Sequence, residues 1–100
     1  MNDADLAAAE LERRFRDARQ VPLTRDVVRV DRDEILGYVD QARAAAPPSA
    51  LSVVDELDEL VARAKVVPLT DSVRIDRKQA LDLVRRLQDA LRAEARRGDG

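Results

Sequence analysis

Apolar side chains recur along most of the chain at the three- and four-residue spacing of amphipathic helices. The pattern predicts four helices: residues 4–19, residues 32–45, a third that begins near Ser49 or Ser52 and is stopped by Pro68, and residues 77–96. The first and third share apolar intervals of 3, 4 and 3 residues, at Ala8, Leu11, Phe15 and Ala18, and at Val54, Leu57, Val61 and Ala64. The last helix has an apolar face of Ala80, Leu81, Leu83, Val84, Leu87 and Leu91.

Two short stretches, 27–30 and 73–75, are β-branched and alternate instead, which favours strands. A lone strand leaves both edges unpaired, so we expect the two stretches to pair as an antiparallel ribbon. Side chains alternate between the two faces of a strand. We therefore expect Arg29 and Arg74 to point outward and the flanking apolar residues to face the helices: Val28, Val30, Val73 and Ile75.

The predicted helix boundaries carry recognisable signals. Pro22 and Pro68 stop helices because proline has no N–H and biases the preceding residue away from the helical region. Asp31 and Asp76 end the strands and can cap the helices that follow. A Glu or Gln stands three residues after each aspartate, which predicts a capping box in both places.

The two halves of the chain contain nearly the same short sequence motifs. Val-Pro-Leu-Thr occurs at 21–24 and again at 67–70, and Val-Arg-Val-Asp-Arg at 28–32 returns as Val-Arg-Ile-Asp-Arg at 73–77. The sequence therefore predicts a mainly α fold: a tandem, pseudo-twofold helix-strand-helix repeat with a short two-stranded antiparallel β ribbon. We expect one compact domain over 1–100, with repeat one at 4–46, repeat two at 50–97 and a frayed tail at 98–100.

Composition narrows the function classes. The chain has 18 basic and 20 acidic residues and a net charge of −2, which gives no reason to expect nucleic acid or an anionic membrane as a partner. It has no Cys and no His, which excludes thiol and histidine catalysis and the usual zinc sites. No apolar run is long enough for a membrane span, and the acidic residues after Met1 do not fit a signal peptide. We expect a cytoplasmic protein.

Two sets of charged residues are candidates for a metal-binding or a DNA-binding site. A carboxylate cluster at Asp55, Glu56, Asp58 and Glu59 could hold a metal, but an acidic, solvated helix start explains it as well. Arg29 and Arg74 are the candidate binding residues, because outward side chains on a strand ribbon read DNA in ribbon-helix-helix repressors. Against this, four aspartates flank the arginines and can pair with them: Asp26, Asp31, Asp71 and Asp76.

The second half resembles a known family over nearly its whole length. Four short motifs carry this resemblance: Asp-Glu-Leu-Asp-Glu-Leu at 55–60, Ala-Lys at 64–65, Val-Pro-Leu-Thr at 67–70 and Val-Arg-Ile-Asp at 73–76. With them, the second half looks like the N-terminal module of DivIVA-like, SepIVA-type actinobacterial coiled-coil proteins. The first half shares Val-Pro-Leu-Thr at 21–24 and has Val-Arg-Val-Asp at 28–31. Those proteins carry one such module ahead of a long coiled coil. The resemblance implies an assembly or scaffold protein linked to cell division or envelope growth, without catalytic residues.

We therefore expect a non-enzymatic protein-interaction or scaffold module that binds a protein partner or self-associates, with no cofactor, no metal and no small-molecule substrate. The alternative is a small DNA-binding protein that uses the strand ribbon, with Arg29 and Arg74 as its reading residues.

Overall fold

A computed structural model describes residues 2–98 of the chain. The elements are α1 (Asp3–Asp17), β1 (Arg19–Gln20), β2 (Val27–Asp31), α2 (Arg32–Ala45), a single 3₁₀ turn (Pro48–Ala50), α3 (Leu51–Arg63), β3 (Lys65–Val66), β4 (Ser72–Asp76) and α4 (Arg77–Gly98). The fold is mainly helical, with a small antiparallel sheet. The expected tail at 98–100 falls at the edge of this range, because α4 includes Gly98 while residues 99 and 100 lie outside the described residues.

The sheet has four strands in the order β1-β2-β4-β3, and every pairing is antiparallel. The central pair β2/β4 is the expected ribbon, with Val28 opposite Ile75 and Val30 opposite Val73. The expectation of two strands was wrong, because a two-residue strand is added at each outer edge. β1 and β3 were not predicted, since a two-residue strand has no alternation to detect.

Helix α1 ends earlier than expected. Ala18 is already extended, at φ −63° and ψ 145°, so the helix stops at Asp17 rather than Arg19. The expected role of Pro22 as the stop was wrong, because residues 19 and 20 pair with β2 before the proline is reached. The expected role of Pro68 was wrong for the same reason, since α3 ends at Arg63 and residues 65 and 66 pair with β4. At the other end Asn2 and Asp5 form a reciprocal capping box, with bonds of 3.0 and 3.1 Å.

Asp31 and Asp76 cap α2 and α4 as predicted. Their carboxylates accept hydrogen bonds from the backbone amides of Glu34 and Gln79, at 2.9 and 3.0 Å. The capping box predicted at α2 is not completed, because the Glu34 carboxylate pairs with Arg14 at 2.6 Å, which directs it toward α1. The predicted serine cap of α3 was wrong, since Ala50 holds the cap position after the 3₁₀ turn and Ser49 donates to Glu94 instead.

The core lies between one face of the sheet and a ring of helices. α1 and α3 each pack against both α2 and α4, and every helix also touches the sheet. The four strand residues expected to face the helices are buried, as are Phe15, Leu57 and Leu87. Leu81 was expected on the apolar face of the last helix, but it is only partly buried, at the margin of the core. The opposite face of the sheet carries the exposed Arg29 and Arg74 and holds the candidate site.

Candidate functional site

Arg29 and Arg74 stand directly opposite each other in the central strand pair, and both side chains are exposed. The burial of their neighbours explains this placement: residues 28 and 30, and 73 and 75, are buried, so the intervening arginines must point to the other face. The structure thus brings the two predicted site residues together on one surface.

The edge strands extend this pair to four cations. Arg19 is the partner of Arg29, and Lys65 is the partner of Arg74. Directly opposed residues of antiparallel strands share a face. The four side chains therefore form one line across the sheet, Arg19-Arg29-Arg74-Lys65, which we call the basic row. Strand spacing of about 4.8 Å makes it about 14 Å long.

Sequence reasoning missed Arg19 and Lys65. The available signal was that each half places a basic residue three positions before its proline, at Arg19 before Pro22 and at Lys65 before Pro68. That signal has no meaning until the edge strands are known, because only strand register puts these residues beside Arg29 and Arg74.

The basic row has no carboxylate partner within residues 2–98, where the ion pairs involve other arginines. The expectation that the flanking aspartates neutralise Arg29 and Arg74 is not met there. Asp26 lies 2.9 Å from Arg77, and Asp31 and Asp76 accept from the helix amides they cap. Like charges directly opposed across strands are destabilising, so the row does not serve the stability of the sheet.

A second unusual feature lies at the two β-turns. Leu23 and Leu69 each have a φ of 65°, in the left-handed region, and each residue is fully exposed. Both follow a proline, as at the central positions of a type II turn, where glycine or asparagine is preferred. The hydroxyls of Thr24 and Thr70 fasten the turns by donating to the carbonyls of Val21 and Val67, at 2.6 and 2.8 Å.

The two turns lie at opposite ends of the sheet. The turn of Leu23 joins the end of β2 at Val27, and the turn of Leu69 joins β4 at Ser72. Val27 pairs with Asp76 at one end of the ladder, whereas Ser72 pairs with Asp31 at the other end. The basic row crosses the middle of this ladder, so an exposed leucine stands beyond each end of the sheet. No periodic pattern in the sequence marks these leucines.

The acidic cluster of α3 is engaged in ion pairs. Arg43 bridges Asp55 and Asp58, at 2.5 and 2.9 Å, and Arg86 and Arg63 pair with Glu56 and Glu59. The hydrogen bond that Arg43 donates to the Asp55 carboxylate is the main cause that raises the pKa of Arg43. Within residues 2–98 no group of three or more acidic side chains is arranged to hold a metal ion. The cluster thus joins α3 to its neighbouring helices.

Two open clefts lie beside the sheet and between helices. One is lined by Arg14, Asp17 and Glu34 among others, and the other by Glu56, Arg63 and Arg86 among others. In the first, Arg14 pairs with Glu34, donates to the Tyr38 hydroxyl at 3.3 Å and lies over the Tyr38 ring. The hydrogen bond to Tyr38 is the main cause that raises the pKa of Arg14. Arg14 and Glu34 thus pair with each other in the first cleft, and two ion pairs lie in the second, Arg86 with Glu56 and Arg63 with Glu59.

Comparison with known proteins adds no relative: no protein-family model, no curated protein and no solved structure matches the chain. Over the described residues, no helix combines the length and the apolar character needed to cross a membrane.

Proposed function

We propose that the chain is a non-enzymatic, cytoplasmic protein-interaction module of the scaffold kind. Its docking surface is the exposed face of the sheet together with the two leucine turns. The observation that carries this proposal is the pair of fully exposed leucines held at a φ of 65°.

The leucines work against the stability of the free protein. A non-glycine residue in the left-handed region costs about 1–2 kcal/mol, and an exposed leucine gains nothing from burial. Glycine or asparagine would remove both disadvantages at Leu23 and Leu69. Departures from local rules of this kind are typical of functional sites. A partner that covers the two side chains would supply the burial that the free chain lacks.

We also propose that the module is a tandem of two helix-strand-helix units about a pseudo-twofold axis. The strand register supports this, because Arg29 pairs with its own counterpart Arg74. Two backbone bonds are equivalent in the same sense: the Arg32 amide donates to the Asp71 carbonyl, and the Arg77 amide donates to the Asp26 carbonyl, at 2.9 and 2.8 Å. Such a unit offers each docking feature twice. The DivIVA-like sequence motifs extend the proposal to cell division or envelope growth.

The proposal is tested by capture from the native host with wild-type protein and the double variant Leu23→Asn, Leu69→Asn. We expect the variant to lose the partner and to melt no lower than wild type, because asparagine tolerates the left-handed conformation. Leu6→Gln is the control, since Leu6 is also exposed but lies on α1. A partner retained equally by all three proteins would contradict the role of the leucine turns.

DNA binding is the second candidate, and the basic row is the observation that favours it. The width of the sheet opposes the ribbon-helix-helix mode, in which a two-stranded ribbon enters a major groove about 12 Å wide. Here the two outer strands are about 14 Å apart, so the four-stranded sheet is too wide to lie across the floor of the major groove. The acidic caps Asp31 and Asp76 also share the face of the row and repel phosphates.

A further inference from the structure

The basic row is a line of four cations that the free protein does not neutralise with any carboxylate of residues 2–98. Its members come from four different strands, two of them only two residues long. Repulsion between the directly opposed cations disfavours this arrangement in the free protein. An anionic partner would neutralise the four cations and be attracted to them. The spacing of the charges narrows the form that such a partner can take.

We propose that the basic row is a docking surface for the acidic face of a partner α-helix that lies across the strands. This inference rests on the proposed interaction function and names the chemistry of the partner. Carboxylates one helical turn apart are spaced by about 5.4 Å, close to the strand spacing of about 4.8 Å. Over the whole row the difference accumulates to only about 2 Å, which long arginine and lysine side chains can cover.

An extended peptide fits the row less well. Side chains on one face of a strand repeat every second residue, or about 6.7 Å, so four of them span about 20 Å against the 14 Å of the row. A helix with Glu at positions i, i+4, i+7 and i+11 keeps its carboxylates on one face over about 16 Å. The helix therefore matches the spacing of the basic row more closely than an extended peptide does.

The rest of the face restricts where a partner's carboxylates can lie. On one side of the row Asp76 stands opposite Val27, and on the other side Asp31 stands opposite Ser72. Both aspartates share the face of the row and repel carboxylates that stray from it. The partner's charge is thus confined to a single line. A membrane surface or duplex DNA presents anions in two dimensions and would meet both aspartates.

The test uses the full chain and a synthetic helical peptide with Glu at i, i+4, i+7 and i+11. The control peptide has the same composition with its glutamates spread around the helix. Titration followed by amide chemical shifts should show binding of the aligned peptide, centred on the four strands and weakened by salt. The variant Arg29→Gln, Arg74→Gln should bind about tenfold more weakly, since each exposed ion pair contributes a factor of about 1.5–5.

The control variant is Arg85→Gln, Arg96→Gln, which changes the net charge equally at exposed positions of α4 and should bind like wild type. Equal binding of both peptides, or wild-type affinity in the Arg29, Arg74 variant, would overturn the proposal. Duplex DNA and vesicles of anionic phospholipid are two further arms. Salt-sensitive binding to either that exceeds peptide binding and is lost in the Arg29, Arg74 variant would reassign the row.

This outcome is distinguishable from failure of the proposed function. A scaffold module with a different partner chemistry would still lose its host partner in the Leu23, Leu69 variant while ignoring the acidic peptide. A protein without the interaction function would capture only the background that also binds the empty resin, in wild type and in every variant.

Discussion

Arginine has two roles in this molecule, which the contacts of single residues separate. Arg43 bridges two aspartates of α3, and Arg77 donates to the Arg16 carbonyl at 2.8 Å while lying 2.9 Å from Asp26. Arg43 thus joins α2 to α3, and Arg77 joins the start of α4 to the first half of the chain. Arg29 and Arg74 make no such contact with the described residues and face each other instead. The contrast explains why the basic row, rather than arginine content, points to a binding surface.

At the residue scale, the core makes one sharp prediction. Leu57 is 1% exposed, whereas Leu81 is only partly buried at the margin of the core. Leu57→Ala should lower the free energy of unfolding by about 2–5 kcal/mol, because it leaves a cavity as well as losing apolar burial. Leu81→Ala is the matched control and should cost clearly less. Chemical denaturation measures both, and equal losses would show that the two sites are buried alike.

At the element scale, local signals located the long elements and missed the short ones. The bounds of α2 follow from Asp31 and from apolar periodicity, and the β-branched alternation marks the central strands. The strands β1 and β3 have no such signal. They exist because the two turns fold them back onto β2 and β4, and the turns depend on Leu23 and Leu69 in a conformation that leucine disfavours.

The candidate site could be predicted to the same extent. Alternation alone placed Arg29 and Arg74 on the outer face, since it needs only the apolar neighbours of each arginine. Arg19 and Lys65 could not be assigned to that face, because their place depends on pairing with residues ten and nine positions away in sequence. The missed serine cap has a similar cause: Pro48 starts a 3₁₀ turn that carries Ser49 away from the cap position.

Helix capping gives a prediction at this scale. The Asp76 carboxylate accepts a hydrogen bond from the backbone amide of Gln79 at the start of α4. Asp76→Ala should lower the free energy of unfolding by about 1 kcal/mol, as the loss of an N-cap does. Ser52→Ala is the control, because Ser52 lies inside α3 and caps nothing. Thermal or chemical denaturation compares them, and a Ser52→Ala loss as large as that of Asp76→Ala would contradict the assignment.

At the scale of the whole molecule, a side-chain hydrogen bond joins the first and last helices, which are neighbours in the ring. The Gln88 amide of α4 donates to the Glu12 carboxylate of α1 at 2.8 Å, and Arg16 also pairs with Glu12. The bond joins residues 76 positions apart. It closes the ring between the two halves, so its strength should register in global unfolding rather than in local fraying.

The state of Glu12 gives this contact a defined pH dependence. The hydrogen bond from Gln88, with a further contribution from Arg16, holds the pKa of Glu12 below its ordinary value. A carboxylate with a lowered pKa in the folded state stabilises the fold above the pKa of the unfolded chain, about 4.3 for Glu. That stability is lost as the pH falls through the lower pKa of the folded state. Unfolding should therefore become easier with acidification below about pH 5.

The variant Glu12→Gln isolates this contribution. It removes the titrating group, so we expect lower stability than wild type at neutral pH and a smaller loss between about pH 5 and pH 3. Glu59→Gln is the control, since it removes one negative charge at an exposed pair within α3. Glu10 keeps part of the acid sensitivity in every variant, because its hydrogen bond from Arg13 also lowers its pKa. Melting curves across this range that run parallel for wild type and Glu12→Gln would show that Glu12 does not couple the two helices.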